Sequence, residues 1–177
     1  MRTLFLLLTF LATAAAQQTR LVTNHSAGDG KANDPKVPDV YALDAGTFER
    51  VLIFRFKYQT DLLAGLEQMV KENHVKNGVI LAAAGSVTGF QVHQVVNGTF
   101  PSQIRFETMA HLPADLISMN GYIMNGRLHP HMTLATPQGA LGGHLEPGTK
   151  VFTFAIVTVG VLRDDLDLSK LDDKDYR

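Results

Sequence analysis

Residues 126–148 read GRLHPHMTLATPQGALGGHLEPG, and the way this stretch folds back on itself decides both a sheet and a site. It holds three of the chain's seven histidines. His129 and His131 stand two apart, and alternate side chains of an extended strand share a face, so both imidazoles reach one point in space. Pro137-Gln138-Gly139 is a turn signal. With Pro137 and Gln138 as the two loop residues, 136 pairs with 139, and the antiparallel register carried along the hairpin sets His131 opposite His144. Three imidazoles then converge. A different loop choice, or a bulge at Gly142-Gly143, shifts the register, so the spacing permits this convergence without forcing it.

Outward from the hairpin, the chain reads mainly as strand. Phe48 to Tyr58 alternates aromatic with charged residues in its second half, and Val79 to Ala84 is a short apolar run ending at a bend, Gly85-Ser86. Gly89 to Val96, Gln103 to Ala110, Asp115 to Met124 and Arg127 to Thr136 continue the series, with hairpin signals at Asn97-Gly98 and Asn125-Gly126. Gly121 marks a bulge or a close approach. Lys150 to Leu162 has apolar residues on both faces, as a central strand does. One helix stands out: Thr60 as N-cap, Asp61 in the first turn, and Leu62, Leu63, Leu66, Met69 and Val70 at helical spacing until Asn77-Gly78. His74, near the helix end, is read as a dipole partner. About seven strands and one helix define an α+β domain, a mainly antiparallel sheet with the helix packed on one face.

The 177 residues amount to one domain, large enough to bury a core without staples. Arg2, the apolar run Leu4 to Leu11 and Ala14-Ala15-Ala16 read as a secretory signal peptide over residues 1–16, cleaved near Gln17; the run is shorter than the roughly 20 apolar residues a membrane span needs. The protein is therefore expected to be secreted or extracytoplasmic, with no membrane span after cleavage. Residues 17–40 are poor in apolar groups and read as a flexible leader, 41–163 as the domain, and 164–177 as a charged surface tail. Cleavage leaves 15 basic against 17 acidic residues, which argues against a nucleic-acid partner. There is no cysteine, so thiolate ligands and cysteine nucleophiles are excluded, and stability rests on core burial and oligomerisation. The sequons at Asn24 and Asn97 bear sugar only in a eukaryotic secretory route.

Imidazole is a common metal ligand, and three histidines with one open position describe a water-activating zinc arrangement. The alternative is a set of ordinary strand histidines bonded to backbone or water. H-x-H with a later histidine also occurs in cupin barrels, but the glutamate expected shortly after the H-x-H is missing between Met132 and Ala140. Glu146 is either a general base or orienting group, or a turn carboxylate. His93 and His111 are candidates for a fourth ligand, while Glu107, Arg55 and Arg127 read as strand charges that can also line a pocket. Ser86 lacks a G-x-S-x-G elbow, and Gly85 and Gly89 fail the dinucleotide fingerprint, so an enzyme and a binding module both stay open.

The stretch DLISMNGYIMNGRLHPHMTLATPQGALGGHL, Asp115 to Leu145, resembles the core of the plants-and-prokaryotes conserved (PPC) domain, with its strand-glycine pattern, H-x-H and closing G-G-H-L. ILAAAGSVTGFQVH, Ile80 to His93, resembles that family's glycine-bearing strand pair. The resemblance implies a compact α+β fold, assembly as a homotrimer, and a divalent metal such as zinc on His129, His131 and His144. Its plant members add an AT-hook for DNA, and this chain has no R-G-R-P core. The family fixes no reaction. A metal-dependent hydrolase or lyase and a non-enzymatic trimeric module for a small-molecule ligand or a protein are the two functions this reading carries forward.

Overall fold

A computed structural model describes residues 17–23, 38–169 and 171; the expected signal peptide, the sequon at Asn24 and residues 172–177 lie outside the described residues. In chain order the elements are β1 (Gln17–Thr23), β2 (Arg50–Lys57), α1 (Leu62–Glu72), β3 (Asn77–Val95), β4 (Gln103–Met124), β5 (Arg127–Thr136), β6 (Gly139–Leu145) and β7 (Val151–Leu162). The strands form one antiparallel sheet in the order β1-β4-β5-β6-β3-β7-β2, and β3 also pairs with β4. The α+β class is as the hydrophobic pattern requires. Because β6, still paired with β5, also pairs with β3 at Val92 and His93 along its other edge, strands β3 to β6 close into a ring.

α1 presents Leu62, Leu66 and Val70 to the sheet, all buried, and Gly65 lets the ring of Phe56 lie against the helix. At about 25 cal/mol per Å² of apolar surface, each such leucine contributes roughly 2 kcal/mol. The N-cap is Asp61 and not Thr60. Its carboxylate accepts from the Ala64 N–H at 3.2 Å and the Gly148 N–H at 2.8 Å, while the Thr60 carbonyl is held extended by the Val151 N–H.

Four further boundaries differ from the sequence reading. The strands expected to break at Gly85-Ser86 run on as the 19-residue β3, and the two expected on either side of His111 merge into the 22-residue β4. Gly85 has φ +154°, where a Cβ would strike the Phe154 carbonyl, so the bend is absorbed within the strand. The leader supplies β1: Gln17 to Thr23 pair with Met109 to Gln103, covering an edge of β4 that would otherwise stay open. Averaging over the polar residues that follow concealed this alternating segment. The tail is not wholly a surface segment either, since Leu166 and Leu168 are buried with Met124 and Leu162. The fully buried Asn77 secures this fold-back, donating from Nδ2 to the carbonyls of Arg163 and Leu166 at 3.2 and 2.9 Å.

Candidate metal centre

The hairpin turn is the two-residue Pro137-Gln138 loop, with Thr136 opposite Gly139 and His131 opposite His144. The H-x-H is extended, so His129 and His131 lie on one face, with stacked rings 5.2 Å apart and Nε2 atoms 3.2 Å apart. The ring of His144 meets both edge-on, with centroids at 5.1 and 5.5 Å. Gly121 permits this geometry: at φ +138°, any Cβ there would run into the carbonyl of His129.

Closure of the ring adds two residues. His93 on β3 stands opposite His144 and stacks on it at 4.5 Å. Glu146 is fixed by its backbone N–H to the Gln91 carbonyl, and its Oε1 meets Nδ1 of His93 at 2.5 Å and Nδ1 of His144 at 3.0 Å. A carboxylate oxygen only accepts, so both rings carry hydrogen on Nδ1, and in the neutral form Nε2 keeps its lone pair. Burial, then the neighbouring His144 and His129, hold His131 below the usual imidazole range; burial and His93 lower His144 against the opposing pull of Glu146. Both are thus biased toward the neutral, ligating form.

Two imidazole nitrogens at 3.2 Å either share one hydrogen or both face a cation. That separation is close to the roughly 3.3 Å between neighbouring corners of a tetrahedron with Zn–N bonds of about 2.0–2.1 Å. His93, His144 and Glu146 form a group whose ligand atoms all lie within 4.8 Å of one another. Imidazoles on either side of His144 and one carboxylate, with no thiolate, are donor types that suit zinc or a comparable divalent ion. The residues present fit such an ion. His129 and His131 also border a hollow of about 380 Å³ together with Asn120 and Tyr122.

His129, His131 and His144 are therefore brought together, as the hairpin register implied. His93 and Glu146 gather on the other side of His144, and these three, without His129 and His131, make the tighter group of potential ligand atoms; His111, exposed on β4, and His74, exposed past the end of α1, do not belong to it. Arg55 is an exposed strand charge, and Glu107 is held by Arg105 at 2.9 Å and by Gln17 and Thr19. Phe106, which packs on His93 at 5.2 Å, carried no signal in the sequence beyond its place in an alternating strand.

A mainly antiparallel sheet with one helix packed on it among the described residues, and histidines gathered where β3, β5 and β6 meet, defines an α+β domain with a candidate metal site. The profile of the Plants and Prokaryotes Conserved (PCC) domain matches residues 43–163, and the chain belongs to that family. Among solved structures it is similar to a metal-containing protein from Archaeoglobus fulgidus, at 22% identity and a TM-score of 0.57, covering 71% of this chain and 86% of that one. A plant- and prokaryote-conserved protein from Pyrococcus horikoshii is 20% identical with a TM-score of 0.54, covering 66% and 81%. A Ralstonia eutropha protein described provisionally as DNA-binding is 20% identical with a TM-score of 0.51, covering 65% and 80%. At these identities the likeness is one of fold. No curated protein matches the chain.

Proposed function

We propose that this is an exported PCC-domain protein that holds a divalent ion, zinc by its donor set, on His129, His131 and His144. The observation that carries the reading is the 3.2 Å approach of two imidazole nitrogens beside the edge of a third ring. A bound divalent ion supplies Lewis acidity of the kind used in hydrolytic and lyase reactions. The chain's own part is to keep His144 in the Nδ1–H tautomer through Glu146, to hold His131 and His144 neutral, and to admit a small molecule into the hollow beside Asn120 and Tyr122. Export rests on the leader sequence of residues 1–16. Protein purified without a histidine tag or added metal is expected to carry about one transition-metal ion per chain, and a His129→Ala, His131→Ala double variant to lose it. A metal-free wild type that takes up no more zinc than the double variant rejects the reading. Mature protein recovered from the culture medium, with an N-terminus near Gln17, checks export.

A second observation favours a trimeric binding module. On the face of β2 and β7 turned away from α1, Val51, Ile53, Phe152 and Phe154 are exposed, Ile53 by 71%. These apolar side chains, with Arg55 and Lys57 between them on the same face, fit a face covered by further copies of the chain, in keeping with the homotrimer the family resemblance implies. Sedimentation equilibrium is expected to give three chains, and Ile53→Asp to give one; a monomeric wild type rejects it. Metal-dependent turnover abolished by His144→Ala decides for the enzyme over the purely binding module. The acidic balance of the mature chain speaks against DNA, and tight, salt-dependent binding to an A·T-rich duplex would reverse that.

A further inference from the structure

One transverse line of cross-strand partners runs through the centre and out the other side. Asn120 stands opposite His131, His131 opposite His144, His144 opposite His93, His93 opposite Phe106, and Phe106 opposite Arg20 on β1. Contact follows register. The Arg20 guanidinium carbon lies 4.1 Å from the centre of the Phe106 ring, Phe106 lies 5.2 Å from His93, and His93 stacks on His144 at 4.5 Å. Directly opposed residues share a face of the sheet, so these are packing partners and not accidents of sequence distance.

β1 is seated for this task. Alternation along the strand puts Gln17 and Thr19 on one face, where Nε2 and the hydroxyl donate to Glu107 Oε2 at 3.1 and 3.0 Å. Arg20 is then directed to the other face, over Phe106. A guanidinium over an aromatic face is a favourable contact that also fixes the ring. Among the described residues His93 makes one side-chain hydrogen bond, to Glu146, and its ring plane is set by Phe106 and His144. β1 lies outside the residues that the family profile matches, 43–163, so the family assignment does not account for it.

We propose that β1 is a positioning strap for the histidine centre. Arg20, acting through Phe106, holds His93 stacked on His144, which keeps both Nδ1–H groups on one Glu146 oxygen and leaves Nε2 of His144 free toward the ion. Only the consequence for the ion rests on the metal reading; the effect on the imidazoles exists in the metal-free protein.

The test therefore reads both. Long-range proton–nitrogen spectra of metal-free protein labelled at histidine report each tautomer, and cobalt(II) titration reports affinity and ligand geometry through its visible spectrum. Wild type is expected to show His93 and His144 each as a single Nδ1–H tautomer. Phe106→Leu, which keeps bulk and loses the ring, is expected to mix the tautomers and weaken cobalt binding about tenfold, the lower end for groups that orient a ligating histidine. Phe106→Tyr restores both readouts. Arg20→Ala gives a smaller loss of the same kind, and Arg20→Lys regains part of it. Arg20 is exposed, so its variants carry the test if Phe106→Leu does not fold. Single tautomers and unchanged cobalt affinity in both Arg20→Ala and Phe106→Leu overturn the proposal, as does a Phe106→Tyr loss as large as that of Phe106→Leu. A wild type with intact tautomers but no cobalt uptake rejects the metal reading instead, and the spectra of the variants still judge the strap.

Discussion

The two halves of β3 share one strand and one neighbour, β4, yet do different work. Residues 77–84 lie between β4 and β7, with Ile80 nearly fully buried and Asn77 locking the returning tail. Residues 86–95 keep Val87, Phe90 and Val92 in the core, but their far edge passes from β7 to the 146–150 connection and then to β6. His93 and Glu146 meet where that handover occurs. A strand flanked twice by regular ladder builds core on one face and sheet on the other. A change of partner brings in residues from a third segment, and these supply the polar groups of a site.

Gly85 is the joint between the halves, and breaking it should have the largest effect. At φ +154° a Cβ meets the Phe154 carbonyl and Ala155 of β7. Gly85→Ala combines backbone strain with overpacking and is expected to cost about 2–5 kcal/mol, read as a fall in urea midpoint together with loss of metal uptake. Wild-type stability would show that the strand tolerates the side chain and that the joint is not special. Ile80→Ala, in the first half, should cost about 2–4 kcal/mol by cavity formation; Ile80 borders the hollow beside His129 and His131 but offers no ligand atom, so the folded fraction is expected to keep wild-type zinc stoichiometry. Loss of zinc in folded Ile80→Ala protein would erase the distinction between the halves.

This division explains what could be read from the sequence. The helix was legible because its leucines recur at one spacing, and the His131–His144 register was legible because a two-residue turn transmits register along a hairpin. Both signals are local. The place of His93 depends on the second edge of β6 pairing with β3, between residues some fifty positions apart, and no turn between them announces it. His93 and Glu146 therefore stood among several candidates, with nothing local to single them out. β1 was lost because seven alternating residues are outweighed by the polar run after them, and its value lies wholly in the β4 edge it covers. Leu166 and Leu168 were submerged in the charges around them for the same reason.

Glu146→Gln sharpens the comparison from the second half. The amide oxygen can still accept from both Nδ1–H groups, but it carries no charge, so both bonds lose their charge assistance. Zinc affinity, measured by competition with a chromophoric chelator, is expected to fall about ten- to a hundredfold, with stability changed by less than about 1 kcal/mol. A stability loss matching that of Ile80→Ala, with affinity intact, would make Glu146 a structural residue and return the site to the three histidines alone.

The smallest effect concerns pH, and it again separates the halves. In the metal-free protein His131 and His144 are held below the imidazole value of 6.5, by burial first and by neighbouring histidines next. The fold thus favours their neutral forms, and between the lowered values and 6.5 the unfolded chain binds more protons than the folded one. Stability then rises with pH in that window. Their contribution is fully present above about pH 6.5 and is lost as the pH falls through the folded-state values, while the Glu146 carboxylate moderates the change at His144. Thermal midpoints recorded from about pH 8 down to about pH 5 should decline more in wild type than in a His131→Gln, His144→Gln variant. Ile80→Ala should lower the whole curve and leave its slope unchanged, because nothing titrates in the first half of β3. Parallel curves for wild type and the double histidine variant would show that the imidazoles are not held neutral by the fold, and the bias toward the ligating form would have to come from the ion itself.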